Sequence, residues 1–271
     1  MKKLFISCQT DIDMRVGGEF KFSYRNVIEG LPKVSSLLEG LPFTVFSSRR
    51  SWESVKSVGG SLDVQPTFYY DEWGKFWQTA GRHEGVCVGK DSTDISAIFC
   101  NCIDEFNSFG FDHTADCFCV GGCCVDLDVM DCIAGLSSRG IKYSVSTAPT
   151  LYSDDGLVDH RLYPNTPWDN NGVLEVPFSI FEGDARFSAK VTPGVVHFEN
   201  LMEILRVCEF VHLVLETSDF VVGTSMVWDN KDLEYRAEDY LKLILHYASG
   251  LGYEIVSIRD LSSYGKGPLG V

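Results

Sequence analysis

The sequence predicts an α/β fold, a distorted (β/α)7-8 barrel, on three observations. Strand-like and helix-like stretches alternate along the whole chain, the pattern of a mostly parallel sheet or barrel. Seven or eight strands fit that alternation, which favours a closed barrel over an open sheet. The 271 residues hold no internal repeat, no low-complexity segment and no Pro/Gly/Ser-rich linker, so one domain over residues 1–271 is expected.

Each element has its own signal. Lys3 to Cys8 is a short apolar run that reads as a buried strand. Val16-Gly17-Gly18 makes a turn. From Tyr24 to Leu38, Val27, Leu31, Val34, Leu37 and Leu38 fall on one helical face, and Pro32 predicts a break near Gly30. Pro42 to Phe46 is a second strand and Trp52 to Val58 a short helix. Phe68 to Thr79 is crowded with aromatics, among them Trp73, Phe76 and Trp77, which suit a core or a sugar-stacking shelf. Glu84 to Val88 reads as a strand, and Asp94 to Phe109 as a helix closed by Gly110. Cys117 to Val120 is a strand, followed by a helix that Asp126 starts and Gly140 ends.

Ile141 to Val145 is a strand, and residues 147–171 a long loop. Val173 to Ile180 is a strand, Phe198 to Cys208 a helix and Val211 to Leu215 a strand ending at Glu216. Tyr235 to Ala248 is an amphipathic helix; Tyr253 to Val256 is the last strand, and Ile258 to Leu261 a closing turn.

Composition bounds the function. The net charge of −15, spread along the chain, argues against nucleic acid and anionic membranes, whose binding needs clustered Lys and Arg. The N-terminal apolar run is too short for a signal peptide, and no window is apolar enough to span a membrane. The ten cysteines include no Cys-x-x-Cys and mostly sit in apolar runs, as reduced buried thiols do. A cytoplasmic protein is expected. His212 and His246 lie on apolar elements and read as core residues.

The first strand ends in Thr10-Asp11-Ile12-Asp13. Alternation puts Asp11 and Asp13 on one face, at the strand end where α/β folds build their sites. Two carboxylates there imply a cation, a substrate or a shifted pKa to offset their repulsion; a solvated Asp-x-Asp turn explains them equally well.

The run Phe118-Cys119-Val120-Gly121-Gly122, a helix, then Gly140-Ile141-Lys142-Tyr143-Ser144-Val145-Ser146 resembles the polysaccharide deacetylase (NodB-homology) family. Thr10 to Asp13, Pro42 to Phe46, Gly81-Arg82-His83-Glu84-Gly85, Glu175-Val176-Pro177-Phe178-Ser179 and Leu215 to Phe220 are similar to its other landmarks, in order. The resemblance covers nearly the whole chain. It implies a barrel of the glycoside hydrolase/deacetylase type, hydrolysis of a C–N bond in an N-acylated sugar, and a place in surface-polysaccharide or nucleotide-sugar biosynthesis. Its partner would be a small-molecule, lipid-linked or nucleotide-linked sugar; the oligomeric state, a homo-oligomer included, stays open.

The resemblance assigns roles residue by residue. Asp11 stands where the family has its general base, and Asp13 where a metal ligand stands. Cys87 and Asp91 occupy the two positions of the ligand histidines, and Glu216 that of the acid histidine. Gly121, Gly122, Asp219 and Trp228 are the substrate-contact candidates, although Gly121-Gly122 also reads as a tight strand-to-helix turn.

Two chemistries remain open. Asp13, Cys87 and Asp91 could hold a divalent ion such as zinc, with Asp11 as base and Glu216 as acid. Alternatively the metal is lost, and Asp11, Asp13 and Glu216 act as carboxylates on a sugar, as glycosidases do, or bind it without turnover.

Overall fold

The computed structural model describes residues 1–10, 14–16, 19–21, 24–58, 61–68, 92–121, 125–147, 163–179, 198–221 and 237–266, with backbone alone at 14–16, 19–21, 198–200 and 265–266. In chain order the described strands are β1 (Lys2–Gln9), β2 (Met14–Val16), β3 (Glu19–Lys21), β4 (Thr44–Ser47), β5 (Asp63–Phe68), β6 (Cys117–Val120), β7 (Tyr143–Ser144), β8 (Trp168–Asn170), β9 (Val173–Glu175), β10 (Phe210–Glu216) and β11 (Tyr253–Val256). The helices are α1 (Leu31–Leu37), α2 (Trp52–Val58), α3 (Ser92–Phe109), α4 (Leu127–Gly135), α5 (Phe198–Val207) and α6 (Ala237–Gly250). None of them is long and apolar enough to cross a membrane. The chain divides into two compact units, Met1–Val64 with Ser179–Ile258, and Gln65–Phe178 with Arg259–Val271.

β1 is the axis of the first unit. It pairs in parallel with β10 from Lys3↔Phe210 to Gln9↔Glu216. Its other edge pairs first with β11, Lys2↔Tyr253 to Phe5↔Val256, and then with β4, Ser7↔Thr44 to Gln9↔Phe46. A strand flanked on both edges and covered on both faces is mostly apolar. Leu4, Phe5, Ile6 and Cys8 are accordingly fully buried, each worth about 1–3 kcal/mol of apolar burial.

The break expected near Gly30 takes a specific form. Pro32 has no N–H, and its ring meets the carbonyl four residues back. The chain responds with a π turn over Asn26–Gly30, and α1 begins at Leu31 with proline in its first turn. Val27, Leu31 and Val34 bury the predicted face, while Leu37 does not belong to the core.

In the second unit β5, β6, β7 and β9 run parallel, and β8 adds antiparallel to β9. Phe68 of β5, Phe118 of β6 and Phe99 of α3 pack as one aromatic cluster, with centroids 4.9 to 6.5 Å apart. α4 starts as predicted: the Asp126 side chain accepts the Val129 N–H at 2.9 Å, and Gly140 follows its last, 3-10 turn at φ +89°.

Four strands depart from the sequence-based expectation. β5 is a strand despite Pro66, which cannot donate to a ladder. It survives because the Gln65 amide oxygen accepts from Asp116 N and Cys117 N at 3.1 and 3.0 Å, while Thr67 and Phe68 pair with β6. β2 and β3 form an antiparallel ladder on either side of Gly17-Gly18, where the sequence predicts only a turn. β8 lies inside the expected long loop and joins β9 through Asn171 (φ 49°) and Gly172 (φ 97°), the two positive-φ positions of a tight hairpin.

Smaller corrections concern strand length and one histidine. β7 is two residues, shorter than the expected 141–145, and β9 ends at Glu175. His212 is fully buried as expected, but His246 is not a core residue: Tyr240, Leu241, Ile244 and Ala248 form the buried face of α6 and leave it outside. Among the described cysteines, Cys8, Cys102, Cys117, Cys119 and Cys132 are buried, Cys100 and Cys208 are half-buried, and none of these forms a disulfide. The expected strand Glu84 to Val88 and the aromatic run beyond Phe68 lie outside the described residues.

Candidate functional site at the ends of the first and tenth strands

Alternation along β1 puts Phe5, Ser7 and Gln9 on one face, and their partners across the ladder are His212, Val214 and Glu216 of β10. That face is polar where the opposite face, Leu4, Ile6 and Cys8, is not. Ser7 Oγ and His212 Nε2 are 2.7 Å apart, both fully buried, with the imidazole ring 4.6 Å from that of Phe5. The His212 backbone N–H donates to Ser179 Oγ at 2.7 Å, which satisfies that donor on the outer edge of β10.

At the C-terminal end of the two strands the face presents Gln9 beside Glu216. Glu216 is buried, with 5% of its surface exposed, and sits where β10 gives way to a 3-10 turn, Thr217–Phe220. Thr217, Ser218 and Phe220 are buried in that turn, and Asp219 is half-buried.

The end of β1 is fixed by hydroxyls. Thr10 donates its N–H to Phe46 O at 3.2 Å. Its Oγ1 lies 3.0 Å from Ser51 Oγ, which lies 2.8 Å from Ser47 Oγ and donates to Ser48 O at 3.1 Å. All four hydroxyl residues are buried. The Trp52 indole N–H closes the group on Ser47 O at 3.0 Å.

The Glu175 and Ser179 of the sequence landmark prove to hold backbone. Glu175 is fully buried, and one carboxyl oxygen, Oε1, accepts from Ser146 N, Thr147 N and Thr147 Oγ1, each at 2.8 Å. Among the described residues its other oxygen has no hydrogen-bond partner. Burial raises the pKa of this carboxyl against the lowering effect of those bonds.

Of the residues singled out from sequence, the structure brings Glu216 and Asp219 onto one strand exit. Gly121 follows β6 in the second unit and is half-buried. Asp11, Asp13, Cys87, Asp91, Gly122 and Trp228 lie outside the described residues. Among the described residues no three His, Cys, Asp or Glu side chains come together as a metal site. Sequence reasoning misses Gln9, the hydroxyl group around Ser51 and the Ser7–His212 pair. Counting back in twos from Asp11 along β1 points to Gln9 and Ser7, but nothing in the chain announces Ser51.

No family model matches the sequence, and no curated protein matches it. Solved structures do resemble the fold. A candidate cellobiose-phosphate cleavage protein from Enterococcus faecalis superposes with a TM-score of 0.56 at 11% identity, over 96% of this chain and 98% of that one. A 4-alpha-glucanotransferase from Thermococcus litoralis gives 0.53 at 13% identity over 98% of this chain. This chain spans 39% of that enzyme's length. A candidate glycoside hydrolase/deacetylase from Parabacteroides distasonis gives 0.53 at 9% identity, over 97% of this chain and 71% of that one. The fold is therefore of the expected α/β type, and these three proteins share it.

Proposed function

We propose that this chain is a carbohydrate hydrolase whose acid–base pair is Asp11 and Glu216, and that its reaction is removal of an acyl group from the nitrogen of an amino sugar. The observation that carries the reading is the pairing of Gln9 with Glu216. Asp11 follows Gln9 by two residues, and two residues span at most about 7 Å of chain. In this reading Asp11 takes a proton from water as its oxygen attacks the acyl carbon. The C–N bond then breaks, and the departing amine takes its proton from Glu216. Free amino sugar and a carboxylate are the products. The burial of Glu216 keeps bulk water from competing for that proton.

A second reading has the same carboxylates cleaving or transferring a glycosidic bond. The Thermococcus litoralis neighbour is a glucanotransferase, and a pair of carboxylates without histidine is the usual equipment for glycosidic bonds. A sugar-binding protein without turnover is the third reading of the same fold. A lipid-linked or nucleotide-linked sugar in the cytoplasm remains the expected partner.

A divalent ion on Asp13, Cys87 and Asp91 would polarise the acyl oxygen. The described part of the site supplies Glu216 and hydroxyls, with no thiol or imidazole at the strand ends, so the fit of an ion rests on those three residues and no step is routed through one.

The test is incubation of the purified protein with N-acetylated and N-formylated sugars and with glucosides, beside Asp11→Asn and Glu216→Gln. Release of acid or reducing sugar by the wild type, cut about 100-fold or more in each variant, supports the reading. Equal product from all three proteins removes it. Saturable sugar binding without product supports the third reading instead, and elemental analysis of the same preparation reports any bound metal.

A further inference from the structure

The proposed acid, Glu216, is the last residue of its strand and is followed at once by the 3-10 turn Thr217–Phe220, so what holds that turn bears on the backbone that carries the Glu216 carboxyl. Two contacts from the helical segment before α1 and within it hold it. At Gly30 the backbones touch: a Cβ built there would stand 2.3 Å from Thr217 O and 2.9 Å from Thr217 C, both backbone atoms that cannot swing aside. One turn on, Lys33 Nζ donates to Phe220 O at 2.9 Å, at the far end of the same turn. The ammonium therefore sits on the carbonyl end of the 3-10 turn, where a cation satisfies an unpaired acceptor and opposes the local dipole.

The local geometry of that helical segment serves these contacts. Gly30 closes the π turn Asn26–Gly30. A π turn adds one residue and rotates the next helical turn about the helix axis, and such turns recur at functional sites. Gly30 meets the residue after Glu216, while Lys33 meets the last residue of the turn.

We propose that Gly30 and Lys33 are positioning residues for Glu216: the glycine admits the Thr217 backbone and the lysine anchors Phe220, fixing the Glu216–Phe220 segment from both ends. The proposal rests on the reading of Glu216 as a reacting group, and goes beyond it by naming the residues that orient that group.

The test reads the Glu216 carboxyl directly. The side-chain carboxyl resonances of glutamate-labelled, otherwise deuterated protein are recorded across a pH range, with Glu216→Gln assigning the signal. Gly30→Ala, Lys33→Met and Lys33→Arg are compared with wild type, each with its melting temperature. In Gly30→Ala and Lys33→Met the Glu216 resonance moves and its titration midpoint shifts by about half a pH unit or more, while Lys33→Arg stays near wild type. The loss of one positive charge is separated from repositioning by repeating Lys33→Met in about 1 M salt, where screening shortens to about 3 Å. A shift that persists there supports positioning.

A shift that vanishes in salt, or folded Gly30→Ala and Lys33→Met proteins with the Glu216 signal unmoved, overturns the proposal and leaves these contacts purely structural. Should Gly30→Ala fail to fold, the Lys33→Met pair of measurements decides alone. Turnover is assayed separately: a wild type inert on every sugar removes the proposed function, while the resonance data still decide whether Gly30 and Lys33 orient Glu216.

Discussion

Gln9 and Glu216 stand opposite each other at the last rung of two parallel strands, and the chain passes from Gln9 to Thr10 and Asp11 in the next two residues. A backbone ladder thus fixes where one proposed carboxylate stands and where the chain to the other departs. Ladder pairing on both edges makes β1 hard to displace, which is the rigidity an acid–base pair needs.

The hydroxyl group under Thr10 contributes to that rigidity. Thr10→Val keeps the shape and removes one hydroxyl; Ser51→Ala removes the hydroxyl that Thr10, Ser47 and Ser48 share. Each single change is expected to cost about 1–3 kcal/mol, because a buried partner is left unmade. The double variant should cost less than the sum, since both break the same contact. Urea unfolding of the four proteins measures this; strict additivity would show that Thr10 and Ser51 do not act together.

Glu175 gives a pH dependence with a definite sign. Burial raises its folded-state pKa above the ordinary value of 4.5. A carboxyl with a raised folded pKa contributes fully below its unfolded pKa, and that contribution is lost as pH rises through the folded value. Stability from this site should therefore fall as pH climbs from about 4.5 upward. Glu175→Gln keeps an oxygen for Ser146 and Thr147 and carries no charge, so its stability should be flatter over that window. Thermal melts of wild type and variant between about pH 4 and pH 8 report the difference. A parallel pair of curves would contradict the assignment.

At the start of α4, Asp126→Ala removes the oxygen that accepts the Val129 N–H. A loss of about 1 kcal/mol is expected, with Asp126→Ser close to wild type. Denaturant midpoints check it; equal midpoints for alanine and serine would mean that the cap does not contribute.

Much of the fold is legible in the sequence because local chemistry and tertiary structure agree. Asp126 and Gly140 frame α4 as sequence rules demand, and Pro32 announces the break that the chain makes as a π turn. The misses share a cause, a local signal outvoted or overlooked. Pro66 argues against β5, and the missing support comes from a residue distant in sequence, with the Gln65 side chain holding Asp116 and Cys117. Asn171-Gly172 is itself a hairpin signal, but it sits at the edge of a stretch that reads as loop. At the site, Glu216 is legible as the polar end of an apolar strand. Ser51 and Lys33 are not, because their parts depend on neighbours that only folding brings near.

The central claim, one cavity shared by Asp11 and Glu216, is tested most directly by a high-resolution crystal structure. The Asp11 and Glu216 carboxyl carbons should lie within about 10 Å of each other, the range over which two carboxylates act on one sugar. Carboxyl groups on opposite faces of the sheet, or separated by more than about 15 Å, would contradict the account.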